Sequence, residues 1–96
     1  MRLRQSRLAQ ADLAAIAQNG VEKFGADQTL QYLDLFDARF RRLLEFPEIG
    51  RQEPDLHPQI RSLSCHAHRI YYSIETDTVV IRRILHKAMD VHAWLV

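Results

Sequence analysis

The side chains best suited to chemistry on a phosphate lie in the last third of the chain. RNA cleavage needs a base for the ribose 2′-OH, an acid for the leaving oxygen and cations for the charge that develops on phosphorus. Arg61, Arg83, His86 and Lys87 are the candidates. Arg83 and His86 are three residues apart, so on a strand they point to opposite faces unless a bulge intervenes. The simpler interpretation is that Arg83 pairs with an acidic side chain and His86 closes the end of the core.

Cys65, His66 and His68 are the side chains that would suit a metal ion. On an extended chain only His66 and His68 share a face, and two ligands without a second Cys/His pair fall short of a zinc site. We therefore expect no metal, no cofactor and no catalytic residue here. Cys65 is the single cysteine of the chain. It excludes an internal disulfide, and we expect it to pack as a small apolar side chain.

Several aromatic and basic side chains are candidates for contact with a partner. Tyr72 is expected inward and Tyr71 outward, where Tyr71 could stack on a base or anchor a protein, or lie half-buried in the sheet. Trp94 either folds back over the sheet or stays exposed for a partner. The sheet face opposite the helices is expected to carry some of Arg61, Arg69, Tyr71 and Arg83. The predicted partner-binding residues are Arg61, Arg69, Tyr71, Arg83, His86, Lys87 and Trp94.

Two helical stripes precede these residues and must position them. Ser6 is a plausible N-cap for the first helix, and Gly25 is a plausible stop. The first stripe comprises Leu13, Ile16, Ala17, Val21 and Phe24. Asp27 is the expected N-cap of the second helix, whose stripe runs from Leu30 to Phe46 before Pro47 ends it. Asn19-Gly20 is a local weakness, because glycine costs about 1 kcal/mol relative to alanine inside a helix.

Most of the remaining segments are predicted to be strands. Met1 to Ser6 is an expected edge strand, and Glu48 to Pro58 is an expected loop. Three strands follow, at Gln59 to Cys65, His68 to Glu75 and Thr78 to His86, and a tail with a short helical turn runs from Met89 to Val96. The fold predicted is α+β. An antiparallel helical hairpin packs on a small, twisted, mostly antiparallel sheet of three or four strands, in a single domain spanning residues 1–96.

The distribution of charge and the hydropathy of the chain limit its possible partners and location. Residues 1–11 carry three bases and no acid, residues 12–55 five bases and nine acids, and residues 56–96 five bases and three acids. Basic ends around an acidic middle suit an acidic partner or nucleic acid, and direct contact with nucleic acid stays open. No apolar run approaches the roughly 20 residues that span a bilayer. We expect a cytoplasmic protein without a membrane partner.

Several short segments follow one another along nearly the whole chain. They are RLAQADLAAIA and KFGADQTLQYLDLF in the helices, FPEIGR at the helix end, LHPQIRS at the entry to the sheet, and HRIYYSI and VIRRILHKAMD in the last strands. Taken in this order, they resemble the ParE branch of the RelE/ParE toxin superfamily. The sequence departs from the family pattern at Gln59, where the family often has glycine, at Asn19-Gly20, and at Cys65-His66-Ala67.

The resemblance implies the toxin of a type II toxin–antitoxin system. Such a toxin is expected to inhibit DNA gyrase by binding, and a ParD-like antitoxin is expected to neutralise it in a hetero-oligomer. Two alternatives stay open. One is a ribosome-dependent mRNA endoribonuclease of RelE type, and the other is an interaction module that has lost its toxicity.

Overall fold

The computed structural model describes residues 1–95 and has the predicted α+β architecture. In chain order the elements are β1 (Arg2–Gln5), α1 (Arg7–Phe24), α2 (Ala26–Glu45), β2 (Arg51–Gln52), β3 (Arg61–Cys65), β4 (His68–Glu75), β5 (Thr78–His86) and α3 (Val91–Trp94). The predicted tail ended at Val96, which lies outside the described residues.

The sheet has five strands in the order β1-β5-β4-β3-β2. β1 pairs with β5 in parallel, and the other pairs are antiparallel. The sequence predicted three or four strands; the fifth is β2, a two-residue strand inside the segment expected to be a loop. β1 covers only the first part of β5, from Thr78 to Ile81. The second half of β5 is still paired with β4, but on its other edge it lies next to α1 instead of a strand.

The two helices meet at Gly25, which adopts a φ of +86° that favours glycine. Ser6 caps α1 as predicted, with its hydroxyl accepting the backbone N–H of Ala9 at 3.0 Å. Asp27 is not the N-cap of α2; the helix begins at Ala26 with Gly25 as its cap, and Asp27 lies in the first turn. A carboxylate in that position still favours the helix dipole.

Gly20 lies inside an uninterrupted α1. A Cβ atom there would lie 2.7 Å from Thr29 Oγ1 on α2. Thr29 is buried, and its hydroxyl donates to the Gly25 carbonyl at 2.7 Å. The glycine expected to weaken α1 therefore lies at a close contact between the two helices, where a larger side chain would meet Thr29.

The main core lies between the hairpin and the sheet. Phe36, Phe40 and Leu43 of α2 pack with residues of β4 and β5, and Cys65 is buried among them as predicted. Burial raises the pKa of the Cys65 thiol. Val21 and Phe24 belong to the α1 stripe but are exposed, because the Gly25 end of the hairpin has no sheet packed beneath it.

A second, smaller core lies on the opposite face of the sheet. Ile60, Tyr71 and Leu85 are buried there, and Leu56, Val91 and Leu95 pack over them. The loop before β3 and the C-terminal tail thus cover much of the sheet face that was expected to be available to partners.

The loop after α2 is tied to both sides of the sheet. The Tyr72 hydroxyl donates to the Pro47 carbonyl at 2.7 Å and accepts the Gly50 N–H at 2.8 Å. Glu53 accepts hydrogen bonds from Arg51 and Ser62. Burial alone would raise the pKa of Glu53, but these hydrogen bonds and the charge of Arg51 outweigh it and lower the pKa.

Neither long helix holds an apolar window sufficient to cross a bilayer, so none of the helices within residues 1–95 qualifies as a membrane span.

Candidate functional site

A groove of about 950 Å³ opens between the Gly25 end of the helical hairpin and the adjoining end of the sheet. We call it the hairpin groove. One side is formed by α1 and the N-terminal half of α2, and the other by the β3–β4 turn, the last residues of β5 and the tail. Its apolar lining includes Ile16, Phe24, Leu35, Ile84, Met89 and Trp94.

The rim of the groove carries large apolar side chains that are open to solvent. Phe24 is 62% exposed, and Met89 and Trp94 are also exposed. Phe24 is the last residue of α1, and Trp94 is the last residue of the short α3. Water contact with large apolar side chains is unfavourable, so several of them around one groove indicate a surface for a partner.

Asp12 of α1 and Arg83 of β5 form an ion pair that links the two elements, and we call this contact the joint. Both oxygens of Asp12 accept from the Arg83 guanidinium at 2.8 Å, and the backbone N–H of Ile84 donates to Asp12 at 2.9 Å. Arg83 also donates to the Trp94 carbonyl at 2.6 Å, and its guanidinium lies over the Trp94 ring. The predicted pairing of Arg83 with an acidic side chain is confirmed, and the pair also anchors the tail.

Three histidines gather at the sheet end of the groove. The Tyr32 hydroxyl lies 2.7 Å from Nδ1 of His68, and the rings of His68 and His86 are 5.3 Å apart. His66 lies on the other side of Tyr32, with ring centroids 6.2 Å apart. Burial lowers the pKa of His68, and the neighbouring charge of His86 lowers it further, against the opposing influence of Asp12.

The charges that line the groove are not balanced. Arg83 is paired with Asp12, so among the lining residues within 1–95 Lys23 is the charged side chain without an ion pair, beside the three histidines. Among the groove-lining residues within 1–95, the one carboxylate is that of Asp12, and Arg83 and the Ile84 N–H already occupy it. The groove therefore suits an acidic, partly apolar segment.

Of the seven residues predicted to bind a partner, three line the groove: Arg83, His86 and Trp94. Lys87 is exposed in the turn after β5, where its N–H donates to the Ala67 carbonyl, and it is not part of the lining. Arg83 and His86 belong to the end of β5, Lys87 follows directly, and Trp94 lies in α3. The end of β5 therefore supplies two of the three predicted residues that line the groove.

The other three lie elsewhere. Tyr71 was expected to point to solvent; it does face away from the helices but is only 7% exposed, because the tail and the loop before β3 cover it. Arg61 pairs in register with Tyr72 and so lies on the helix face, where it donates to the carbonyls of Glu48 and Gly50. The opposite face therefore carries three of the four residues named for it, without Arg61. Arg69 lies on that opposite face, partly exposed.

The positions of Arg83 and His86 on β5 give little support to a site that cleaves a phosphate bond. β5 does contain a bulge, since Tyr71 pairs with Arg83 and Tyr72 with Ile81. The unpaired residue is Arg82, however, and from Arg83 onward the strand alternates regularly. Arg83 thus stays on the side of Tyr71 and His86 on the side of His68, as the spacing indicated. Within residues 1–95 no group of three His, Cys, Asp or Glu side chains could hold a metal ion.

Three important groove residues were not singled out from the sequence. Asp12 and Arg83 are 71 positions apart, and no local pattern connects them. Tyr32 looked like an ordinary member of a helix. Phe24 was assigned to the core stripe, although its place directly before Gly25 was a signal that the helix ends there.

Comparison with known proteins agrees with this fold. A family model described as the ParE toxin of the type II toxin–antitoxin system, parDE, matches residues 3–91. Toxin ParE1 of Mycobacterium tuberculosis (strain CDC 1551 / Oshkosh) is 34% identical over 87 residues, which are 90% of this chain and 89% of that protein. Toxin ParE3 of Caulobacter vibrioides is 31% identical over 94 residues, 98% of this chain and 94% of that protein.

A solved structure supports the same assignment at the level of the fold. A chain from the chromosomal ParDE TA system of P. aeruginosa superposes with a TM-score of 0.78 at 24% identity, covering 90% of this chain and 95% of that one. The family match over residues 3–91 and the identity to two ParE toxins place the chain in the ParE toxin family of type II toxin–antitoxin systems.

Proposed function

We propose that residues 1–96 act as one toxin domain that inhibits DNA gyrase by binding it in the cytoplasm. We further propose that a ParD-like antitoxin neutralises the toxin in a hetero-oligomeric complex. The observation that carries this proposal is the ParE family match over nearly the whole chain. The geometry adds support, because Arg61 and Arg83 are committed to internal contacts and lie on opposite faces of the sheet, so they do not converge on one phosphate.

The hairpin groove is the proposed antitoxin site. It combines an apolar floor with histidines and with Lys23, which forms no ion pair within residues 1–95, and that combination complements an acidic amphipathic segment. Such a segment, disordered alone, would order on binding. Of the predicted partner-binding residues, we assign His86 and Trp94 to this contact. The roles predicted for Arg69 and Lys87 stay predictions.

A helix suits this groove better than an added strand. Beyond Ile81 the edge of β5 is no longer paired with β1, and such an edge can template an incoming strand. Here the Asp12 carboxylate already accepts the Ile84 N–H. A strand docking at this edge would have to displace Asp12 from both Ile84 and Arg83. A helix lying on the apolar floor leaves that joint intact.

Growth of cells that express the chain tests the toxin–antitoxin pairing. Expression alone is expected to arrest growth, and co-expression of the protein encoded by the adjacent reading frame is expected to restore it. Unchanged growth on expression alone would instead favour an interaction module without toxicity.

A groove substitution tests the location of the antitoxin contact. Phe24→Glu changes an exposed side chain at the rim, so the fold is retained while antitoxin rescue weakens. Phe46→Glu is the matched control, because Phe46 is 52% exposed but lies at the far end of the hairpin and outside the groove. Equal rescue of both variants would contradict the assignment of the groove.

Primer extension on a translated message separates this proposal from the RelE-type alternative. We expect no cuts that depend on the chain. Site-specific cuts that vanish with His86→Ala would establish a ribosome-dependent ribonuclease and overturn binding as the mode of action.

A further inference from the structure

We propose that the histidine end of the hairpin groove is a subsite for a carboxylate of the partner, and that Nε2–H of His86 donates the hydrogen bond that holds it. The carboxylate would be an aspartate or glutamate side chain on the segment that enters the groove. The inference rests on the proposed function, since it takes the antitoxin as the occupant of the groove.

The local backbone fixes which nitrogen of His86 carries the proton. The N–H of Ala88 donates to Nδ1 of His86 at 3.1 Å. A nitrogen that accepts an N–H must present its lone pair, so in the neutral ring the proton sits on Nε2. His86 is exposed, and within residues 1–95 no acceptor is hydrogen-bonded to its Nε2. The ring therefore offers a fixed donor at the groove.

The ring of His68, which lies next to His86, is also held in place. Nδ1 of His68 is engaged by the Tyr32 hydroxyl at 2.7 Å, and His68 is partly buried. His68 packs edge-on against His86 and limits how that ring can turn. The subsite is thus built by three elements: α2 through Tyr32, β4 through His68 and β5 through His86.

Within residues 1–95, no carboxylate is hydrogen-bonded to His86 or His68. The charged and titratable groups around it are Asp12 on α1, Lys23 on α1, Tyr32 on α2, Cys65 on β3, His66 in the β3–β4 turn, His68 on β4, and Arg83 and Lys87 at the end of β5. Of these, Asp12 is the one carboxylate, and its oxygens are bound by Arg83 and Ile84. An incoming carboxylate would meet donors and positive charge.

Two substitutions of His86 separate recognition from a structural role. Asparagine can accept the Ala88 N–H in place of Nδ1 but places nothing at the Nε2 position. Glutamine can place an N–H donor at the Nε2 position. If His86 served only to fix its turn, His86→Asn would preserve binding. The proposal predicts the reverse, with His86→Gln close to wild type and His86→Asn weakened.

The chain contains a matched control. His57 is also exposed, and its Nδ1 likewise accepts a backbone N–H two residues on, from Gln59 at 3.1 Å. It lines a second cavity, which shares Arg83 and Trp94 with the hairpin groove, and it is not itself among the residues that line the groove. His57→Ala therefore removes the same kind of histidine turn without touching the subsite, and its binding is expected to match wild type.

The experiment measures the dissociation constant of each variant for the full-length protein encoded by the adjacent reading frame. His86→Ala and His86→Asn are expected to bind about tenfold more weakly or worse, since a hydrogen bond to a charged group is worth about one to two factors of ten. In a double-mutant cycle, one Asp→Asn or Glu→Gln change in that protein should lose its effect in the His86→Asn background.

The outcomes are distinguishable. Wild-type affinity in His86→Asn, or the absence of any coupled carboxylate, overturns the subsite while leaving the antitoxin proposal intact. If the wild-type chain forms no complex with that protein, the proposed function itself fails.

Discussion

Replacing Asp12 by alanine should be among the most destabilising single changes outside the hydrophobic core. The side chains of Arg83 and Asp12 are 10% and 14% exposed, so the pair is largely removed from water. Asp12→Ala leaves the buried guanidinium without its counter-charge, which typically costs about 3–5 kcal/mol. The Ile84 N–H also loses its acceptor. We therefore expect the free energy of unfolding to fall by about 3–5 kcal/mol.

An exposed ion pair in the same protein supplies the control. Arg4 and Glu75 interact at 3.4 Å with side chains 59% and 45% exposed. Such pairs contribute about 0–1 kcal/mol because solvent screens them and holding two long side chains costs entropy. Arg4→Ala should therefore change the free energy of unfolding by no more than about 1 kcal/mol.

Urea unfolding followed by circular dichroism measures both variants. The double variant Asp12→Ala/Arg83→Met should be more stable than Asp12→Ala alone, because it also removes the stranded charge. If Asp12→Ala costs no more than Arg4→Ala, or if adding Arg83→Met destabilises further, the reasoning about this joint is refuted.

Three further predictions use the same assay. Tyr72→Phe removes a buried hydroxyl that bridges the Pro47 carbonyl and a backbone N–H, so it should cost about 1–3 kcal/mol; no loss would contradict the bridge. Gly20→Ala should cost about 1–3 kcal/mol through overpacking against Thr29, and the cost should shrink in a Thr29→Ala background. The fold lowers the pKa of Glu53 below 4.5. The stability that this contributes is therefore full above pH 4.5 and lost as pH falls through the folded value. Glu53→Gln should reduce the loss of stability at low pH. An unchanged dependence of the free energy of unfolding on pH would contradict this prediction.

The elements with strong local signals could be predicted closely from the sequence. Alternating Ile, Val and Tyr residues around a tight turn gave the bounds of β4 and β5 without error. The first helix began and ended at its predicted caps. These features depend on neighbours in the chain, and the residues that form them are adjacent in sequence.

The candidate site could be predicted only in part, because it depends on distant contacts. Tyr71 faces away from the helices as the alternation indicated, but its burial depends on Leu56 and Val91, which no strand pattern specifies. The hairpin groove exists because the helices extend past the sheet, so Phe24 became rim instead of core. The need for a small residue at Gly20 becomes visible only when Thr29 of α2 is packed beside it.

A DNA gyrase supercoiling assay with the purified chain tests the central claim most directly. The account predicts that the wild-type chain inhibits supercoiling in a dose-dependent way, and that adding the antitoxin from the adjacent reading frame restores activity. Full supercoiling at every concentration of a folded chain would contradict the account.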